Sequence, residues 1–221
     1  FLLIFISSCS SKKNLIYLQD IDESSAYNYK YEQYKLKIDD ILKIDIGVVN
    51  PDMTSFLQNN SISSLNVSST LESQTLSGYK VDKDGNIFIP FLGQINVINL
   101  SLLDLKRQIT SELKSKGILN EPLVNIKLIN AHFTILGEVN MPGTYNYTDN
   151  DLNIFEAIGM AGDLTINGVR KKIKIIRINN VKNQILALDI TSSKAFESDA
   201  FQIHSGDIII INPNTNRIKN A

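Results

Sequence analysis

Apolar and polar residues alternate with period two over several short stretches of the chain, the pattern of half-buried strands. Leu42, Ile44, Ile46 and Val48 alternate with Lys43, Asp45 and Gly47. Ahead of them Leu36, Ile38 and Ile41 form an apolar run broken at Asp39-Asp40, which predicts a first strand and a turn at the aspartates. From Tyr79 to Pro90, Asp84-Gly85 lies between alternating apolar residues and predicts a type I′ hairpin with positive φ at both central residues. Residues 91–97, with Gly93 among them, continue as another short strand. Leu102, Leu105, Ile109 and Leu113 then recur at helical spacing, with Ser101 as the cap and Gly117 as the stop. After Pro122, Val124, Ile126 and Leu128 alternate with Asn125 and Lys127 as a further strand.

A second series begins at Phe133. Residues 133–145 read as strand, tight turn and strand, with Pro142-Gly143 presetting one turn dihedral and placing Gly143 at positive φ. Tyr145 and Tyr147 then alternate with polar neighbours. Asn153 with Glu156 three residues later is a capping box, opening a helix that buries Ile154, Ala157, Ile158 and Ala161 and ends at Gly162. Residues 173–178 and 185–188 predict a hairpin around Asn179-Asn180. A last strand follows Gly206-Asp207 and is closed by Pro213.

These elements give an α+β fold of two small mixed domains, 34–130 and 131–213. Residues 10–33 are polar with scattered tyrosines (Tyr17, Tyr27, Tyr29, Tyr31) and read as a tether partly ordered by those rings. Residues 52–78 are rich in Ser and Asn and read as a loop, and 214–221 as a polar tail. One echo links the domains: residues 34–44 superpose on 201–211 without a gap, Asp40 falling on Asp207.

The 221 residues carry a formal net charge of -1, which excludes the strongly basic face that nucleic acid requires. With Cys9 as the one cysteine, neither an intrachain disulfide nor a Cys-based zinc cage is available. His132 and His204 lack the partner spacing of a helical metal site, and neither a nucleophile elbow nor a phosphate-cradling loop is present. Most carboxylates fall at turns, where they bond local backbone N–H groups. No catalytic residue, metal or cofactor is therefore expected, and the chain reads as a non-enzyme.

Residues 1–6 are an apolar run, followed by Ser7-Ser8-Cys9-Ser10-Ser11. So short a run cannot cross a hydrocarbon core that needs roughly 20 residues of helix. An apolar segment ending in small residues with a Cys at the junction resembles the bacterial lipobox, with Cys9 as the acylated residue. The other reading is a buried Cys at the end of an apolar strand.

Taken in order, the motifs resemble the Wza-type polysaccharide export lipoproteins of bacterial outer membranes. Asp82, Asp84-Gly85-Asn86, Pro90 and Leu92-Gly93, with the helix from Ser101 and the strand after Pro122, are similar to the polysaccharide export domain of that family. Gly137-Glu138-Val139, Pro142-Gly143-Thr144, Glu156-Ala157-Ile158, Ala161-Gly162 and Gly206-Asp207-Ile208 are similar to the soluble-ligand-binding β-grasp (SLBB) domain. In this resemblance Asp84, Gly85, Pro90, Gly93, Gly137, Pro142, Gly143, Gly162, Gly206 and Asp207 are structural-motif positions that specify the fold. Two departures stand out: the usual Pro-Gly-Asp turn of the first domain is Ile38-Asp39-Asp40, and the usual glycine pair after the SLBB helix is Gly162-Asp163.

The resemblance implies a lipid-anchored protein at the outer membrane, facing the periplasm. Its copies would form a ring-like homo-oligomeric conduit for capsular polysaccharide or exopolysaccharide, with an inner-membrane polysaccharide co-polymerase of the tyrosine autokinase type as partner. Pore-forming members continue into a membrane-crossing helix, and nothing after Pro213 reads as one. An SLBB lipoprotein that binds a ligand or glycan without forming a channel is the alternative, since β-grasp domains host several functions.

Overall fold

The structure, a computed structural model, describes residues 15–22, 24, 26–29, 31–48, 78–148, 151–178 and 183–214. Cys9, the apolar run before it, the loop at 52–77, the Asn179-Asn180 turn and the tail from 215 lie outside the described residues. The architecture is α+β, and the chain divides into two compact units. The first comprises Glu32–His132 and Asn146–Asp151; the second combines Phe133–Tyr145 and Leu152–Ala221 with the N-terminal residues up to Tyr31.

In the first unit, β1 (Ile41–Val48) lies between β2 (Tyr79–Lys80) and β5 (Pro122–Leu128), antiparallel to both. Alternation puts Val124, Ile126 and Leu128 of β5 inside, and Pro122 is tolerated as the first residue of an edge strand. A separate hairpin pairs β3 (Asn86–Ile89) with β4 (Gly93–Asn96). Helix α1 (Leu102–Ser115) is capped by Ser101, whose hydroxyl accepts the Asp104 N–H while Asp104 reaches back to the cap. It buries Leu105, Ile109 and Leu113, each contributing about 1.5–3 kcal/mol relative to exposure. These join Leu36, Leu42, Val81, Ile87, Ile95 and Val97 in one core.

Three expectations need correction here. The segment before Asp39 is no strand: Leu36 exchanges backbone hydrogen bonds with Asn99 and Leu100 and nothing extends the ladder. The Asp84-Gly85 turn is not type I′, because only Gly85 has positive φ, +81°. The Asp82 carboxylate accepts the N–H groups of Asp84 and Asn86 and winds the loop around itself. The hairpin closes elsewhere, at Pro90-Phe91-Leu92, where Leu92 N–H donates to the Ile89 carbonyl and β3 turns into β4.

The second unit holds a five-stranded sheet in the order β7-β6-β10-β8-β9. The strands are β6 (His132–Gly137), β7 (Gly143–Asn146), β8 (Ile173–Arg177), β9 (Gln184–Leu188) and β10 (Ile208–Ile211). Strands β6 and β10, nearly the first and last of the unit, run parallel side by side, and β8 is antiparallel to both β10 and β9. Helix α2 (Ile154–Met160) starts in the predicted capping box, Asn153 accepting from Glu156 N–H and Glu156 from Asn153 N–H. Phe133, Ile135, Ile173, Ile175, Ile209 and Ile211 are buried on one side of the strands.

The predicted tight turn at Pro142-Gly143 is overturned. Gly143 does not adopt positive φ; Gly137 does, at +95°, and a Cβ there would sit 2.0 Å from the Ile211 carbonyl oxygen. That oxygen accepts the Glu138 N–H at 3.0 Å, so the backbone of β6 leans onto the end of β10 where no side chain fits. Residues 138–142 then detour to the end of α2, Asn140 and Met141 bonding the carbonyls of Asp163 and Ala161, before β7 begins.

Candidate functional site

The turn ahead of each unit's long-range strand has the same construction. In the first unit, Lys37 N–H donates to Asp40 Oδ2 at 2.9 Å and Asp40 N–H to the Lys37 carbonyl at 3.3 Å. In the second, His204 N–H donates to Asp207 Oδ2 at 2.9 Å and Asp207 N–H to the His204 carbonyl at 3.0 Å. The residue before each aspartate is left-handed, Asp39 at φ +69° and Gly206 at +88°. β1 starts directly after Asp40 and β10 directly after Asp207. The echo in sequence is thus one turn used twice.

Both aspartates are buried, with different partners. Tyr34 donates its hydroxyl to Asp40 at 2.9 Å, while burial pushes that carboxyl above its ordinary value against the opposing pull of the Lys37 N–H and Tyr34. Asp207 instead receives the Arg177 guanidinium, Nη2 at 2.8 Å from Oδ2 and Nε at 3.1 Å from Oδ1. Arg177 also donates to the carbonyls of Gln202 and Asp199, tying the end of β8 to the turn before β10.

The remaining fold-specifying candidates scatter along the frame and converge on no cleft. Asp84 and Gly85 shape the loop before β3; Pro90 and Gly93 flank the turn between β3 and β4. Gly137 and Gly206 mark the two ends of β10, and Gly162, at φ +72°, ends α2 against Asn140 and Met141. Pro142 and Gly143 open β7. Among the described residues no three of His, Cys, Asp and Glu gather as a metal site, and no helix is long and apolar enough to cross a membrane.

Arg177 was absent from the expected set, although its signal was there: in Ile173-Lys174-Ile175-Ile176-Arg177 alternation points Arg177 inward with Ile173 and Ile175. An inward charge needs a counter-charge. The docking of the N-terminal segment left no such trace. Leu18 and Gln19 donate to the carbonyls of Ile190 and Thr191, and Asp20 accepts from Ser192 and Ser193. Tyr17, Tyr27 and Tyr29 pack on Phe155, Phe196 and Phe201, which touch one another. The Tyr17 hydroxyl donates to Asp163, and its ring lies 5.6 Å from the Arg170 guanidinium carbon. Burial and then Asp163 raise the Tyr17 pKa to about 12. The tyrosines do order the segment, as a strap across the second unit.

Two surface features of the first unit complete the inventory. Phe91, at the tip of the β3–β4 hairpin, is 64% exposed with φ +69°, and Phe88 on β3 is 66% exposed. A groove of about 440 Å³ runs along α1, β1 and β5, lined by Asp45, Gly47, Lys106, Thr110 and residues 122–125.

With this geometry in hand, comparison with known proteins is direct. Residues 28–129 match the polysaccharide biosynthesis/export protein family and residues 132–185 match the SLBB domain, in the order expected. This pair of matches supports the resemblance to the Wza-type polysaccharide export proteins. It is 23% identical over 199 residues to the EPS I polysaccharide export outer membrane protein EpsA of Ralstonia solanacearum, covering 88% of this chain and 51% of that protein. With EpsA of Ralstonia nicotianae it shares 24% over 185 residues, covering 81% of this chain and 47% of that protein. The chain therefore spans about half the length of the curated relatives it matches.

The two departures from the resembled pattern have a physical meaning. Asp39 and Asp163 stand where the family pattern has glycine, and both adopt positive φ, +69° and +73°. Asp is among the few residues with a side chain that tolerate this region. Asp163 also accepts from Leu164 N–H and from the strap's Tyr17. Here the substitution that departs from the family pattern keeps the backbone and adds a contact.

Proposed function

We propose that this protein is an outer-membrane lipoprotein, acylated at Cys9 and facing the periplasm, whose copies assemble into a ring-like conduit for capsular polysaccharide or exopolysaccharide. The observation that carries the reading is the succession, in one chain, of a polysaccharide export domain and an SLBB domain, shared with relatives named as export proteins of the outer membrane. The described residues are in keeping with it: buried aspartates, left-handed turns and caps hold strands in register. Passage through a ring needs a stable wall and no bond-making chemistry. A ring of identical copies requires one heterologous contact repeated about an axis. An inner-membrane polysaccharide co-polymerase of the tyrosine autokinase type would deliver the chain from below.

The test is genetic and physical together. Cells lacking the protein are expected to lose surface polysaccharide, and the purified protein is expected to run as a multimer by native mass measurement in detergent. Normal surface polysaccharide with a strictly monomeric protein would instead favour a ligand- or glycan-binding lipoprotein. Cys9→Ser is expected to release the protein from the membrane fraction, and continued retention would refute acylation there.

A further inference from the structure

We propose that neighbouring copies of this chain join by seating the β3–β4 hairpin of one, with Phe91 at its tip and Phe88 on its outer side, in the groove between α1 and β5 of the next. The inference rests on the ring assembly proposed above and names the contact that would build it.

The first observation is where apolar surface is left uncovered. Among the described residues of the first unit, the large apolar side chains that stay exposed are Phe88 (66%), Phe91 (64%), Leu103 (45%) and Leu123 (59%). Scattered singly they would mean little. Instead they fall in two places. Phe88 and Phe91 share the projecting hairpin. Leu123 lines the groove, and Leu103 lies on the helical row that continues through Lys106 and Thr110 along its wall.

The second observation is the backbone of Phe91. The turn Ile89-Pro90-Phe91-Leu92 has Pro at its second position and a positive φ at its third, the arrangement of a type II turn, where glycine is the favoured residue. An aromatic residue at φ +69° is strained, and its ring stands 64% exposed at the tip of the turn. A position that glycine would fill more cheaply instead carries a large exposed apolar group.

The third observation is charge. From Asn86 to Asn96 the hairpin carries no charged residue. The groove has one charge of each sign, Asp45 and Lys106, and its remaining lining is Gly47, Thr110, Pro122, Leu123, Val124 and Asn125. A neutral, apolar projection meets a neutral, mainly apolar recess. Gly47 leaves open space, since a Cβ there would meet nothing within 4 Å.

Placement decides the kind of partner. The hairpin adjoins β2, and the groove lies along β5, at opposite ends of the β2-β1-β5 sheet. Projection and recess therefore belong to one molecule on different flanks, and a second copy supplies what each lacks. Such a contact is heterologous and propagates from copy to copy until a ring closes. The two rings would bury roughly 250 Å² between them, well below the ~800 Å² per partner of a stable pairwise interface. The contact thus acts as the apolar centre of a wider interface between the two copies.

The test uses the full chain in detergent, followed by native mass measurement over a concentration series. Phe91→Gly removes the projection and relieves the strained φ, so its melting temperature should be unchanged or higher while assembly is lost. Leu123→Asp blocks the recess, and a melt of this variant checks that it is folded. Mixing the two variants is expected to give dimers and nothing larger, because one intact projection meets one intact recess. A double variant Phe91→Cys with Leu123→Cys, made on Cys9→Ser, should form a ladder of disulfide-linked copies under oxidation. If both single variants assemble as the wild type does, or the mixture stays monomeric, the contact is wrong while the ring stands. A wild-type chain that is monomeric at every concentration would overturn the ring and this contact together.

Discussion

Asp40 and Asp207 hold the same position of the same turn, yet one meets a tyrosine hydroxyl and the other a guanidinium. The difference sets the cost of removing each. Asp207→Ala strands Arg177, whose side chain is 10% exposed, with only carbonyl partners. Breaking one side of a buried ion pair costs about 3–5 kcal/mol. Asp40→Ala loses hydrogen bonds from two uncharged donors, the Tyr34 hydroxyl and the Lys37 N–H, and is expected to cost about 1–3 kcal/mol. Chemical denaturation of both variants checks the order; equal losses would mean that the guanidinium contributes nothing beyond the turn.

Asp40 also predicts a pH dependence. Its carboxyl titrates above the ordinary value of 3.8 because burial disfavours the charged form. The protonated form is therefore favoured in the fold. The group's contribution is greatest below 3.8 and declines as pH rises through the raised folded value. Asp40→Asn removes this decline, so the stability of the variant relative to wild type should improve from acid to neutral pH. A constant difference between the two across that range would contradict the assignment.

Glycine at position 137 is required by space as well as by angle. Gly137→Ala must push a Cβ against the Ile211 carbonyl at φ +95° and is expected to cost about 2–4 kcal/mol. Gly143→Ala, whose Cβ would find only the Tyr145 ring at 3.9 Å, should change stability by less than about 0.5 kcal/mol. Thermal melts of the two variants decide, and a reversed order would restore the tight turn at Pro142-Gly143.

The two left-handed aspartates should respond differently to glycine. Asp39→Gly relieves the backbone and gives up only an exposed ion pair with Lys80, so stability should match or exceed that of wild type. Asp163→Gly gives the same relief but loses the bonds from Leu164 and Tyr17, and should lose about 1–2 kcal/mol. Urea unfolding of both separates them, and a loss for Asp39→Gly as large as that for Asp163→Gly would contradict this account.

The strap should detach at high pH. The Tyr17 pKa, raised to about 12 in the fold from 10.0, makes its contribution complete below 10 and lost as pH rises through 12. A tyrosine absorbance titration should show a late-ionising group that Tyr17→Phe removes. Tyr79 of the first unit, also raised by burial, should persist in that variant.

How much of this was legible in the sequence follows from the range of each interaction. Caps, helical faces and strand alternation are local, so Ser101, Asn153, the face of α1 and β5 could be read directly. The pairing of β3 with β4 rather than with β2 could not, because Asp84-Gly85 advertises a hairpin whose two strands are claimed by other partners. Arg177 was readable as an inward charge but not its partner, thirty residues away. The need for glycine at 137 comes from Ile211, far along the chain, and no local pattern carries it. Nothing in residues 15–29 announces that their tyrosines find three phenylalanines from α2 onward.

The strap has a consequence for the order in which the protein is made. Tyr17, Tyr27 and Tyr29 are synthesised before the first unit, but Phe155, Phe196 and Phe201 come after it, and β6 waits for β10. Everything between must emerge before the second unit can close. The polysaccharide export domain is thus free to fold first, as a passenger inside a loop whose two ends meet only when the second unit closes.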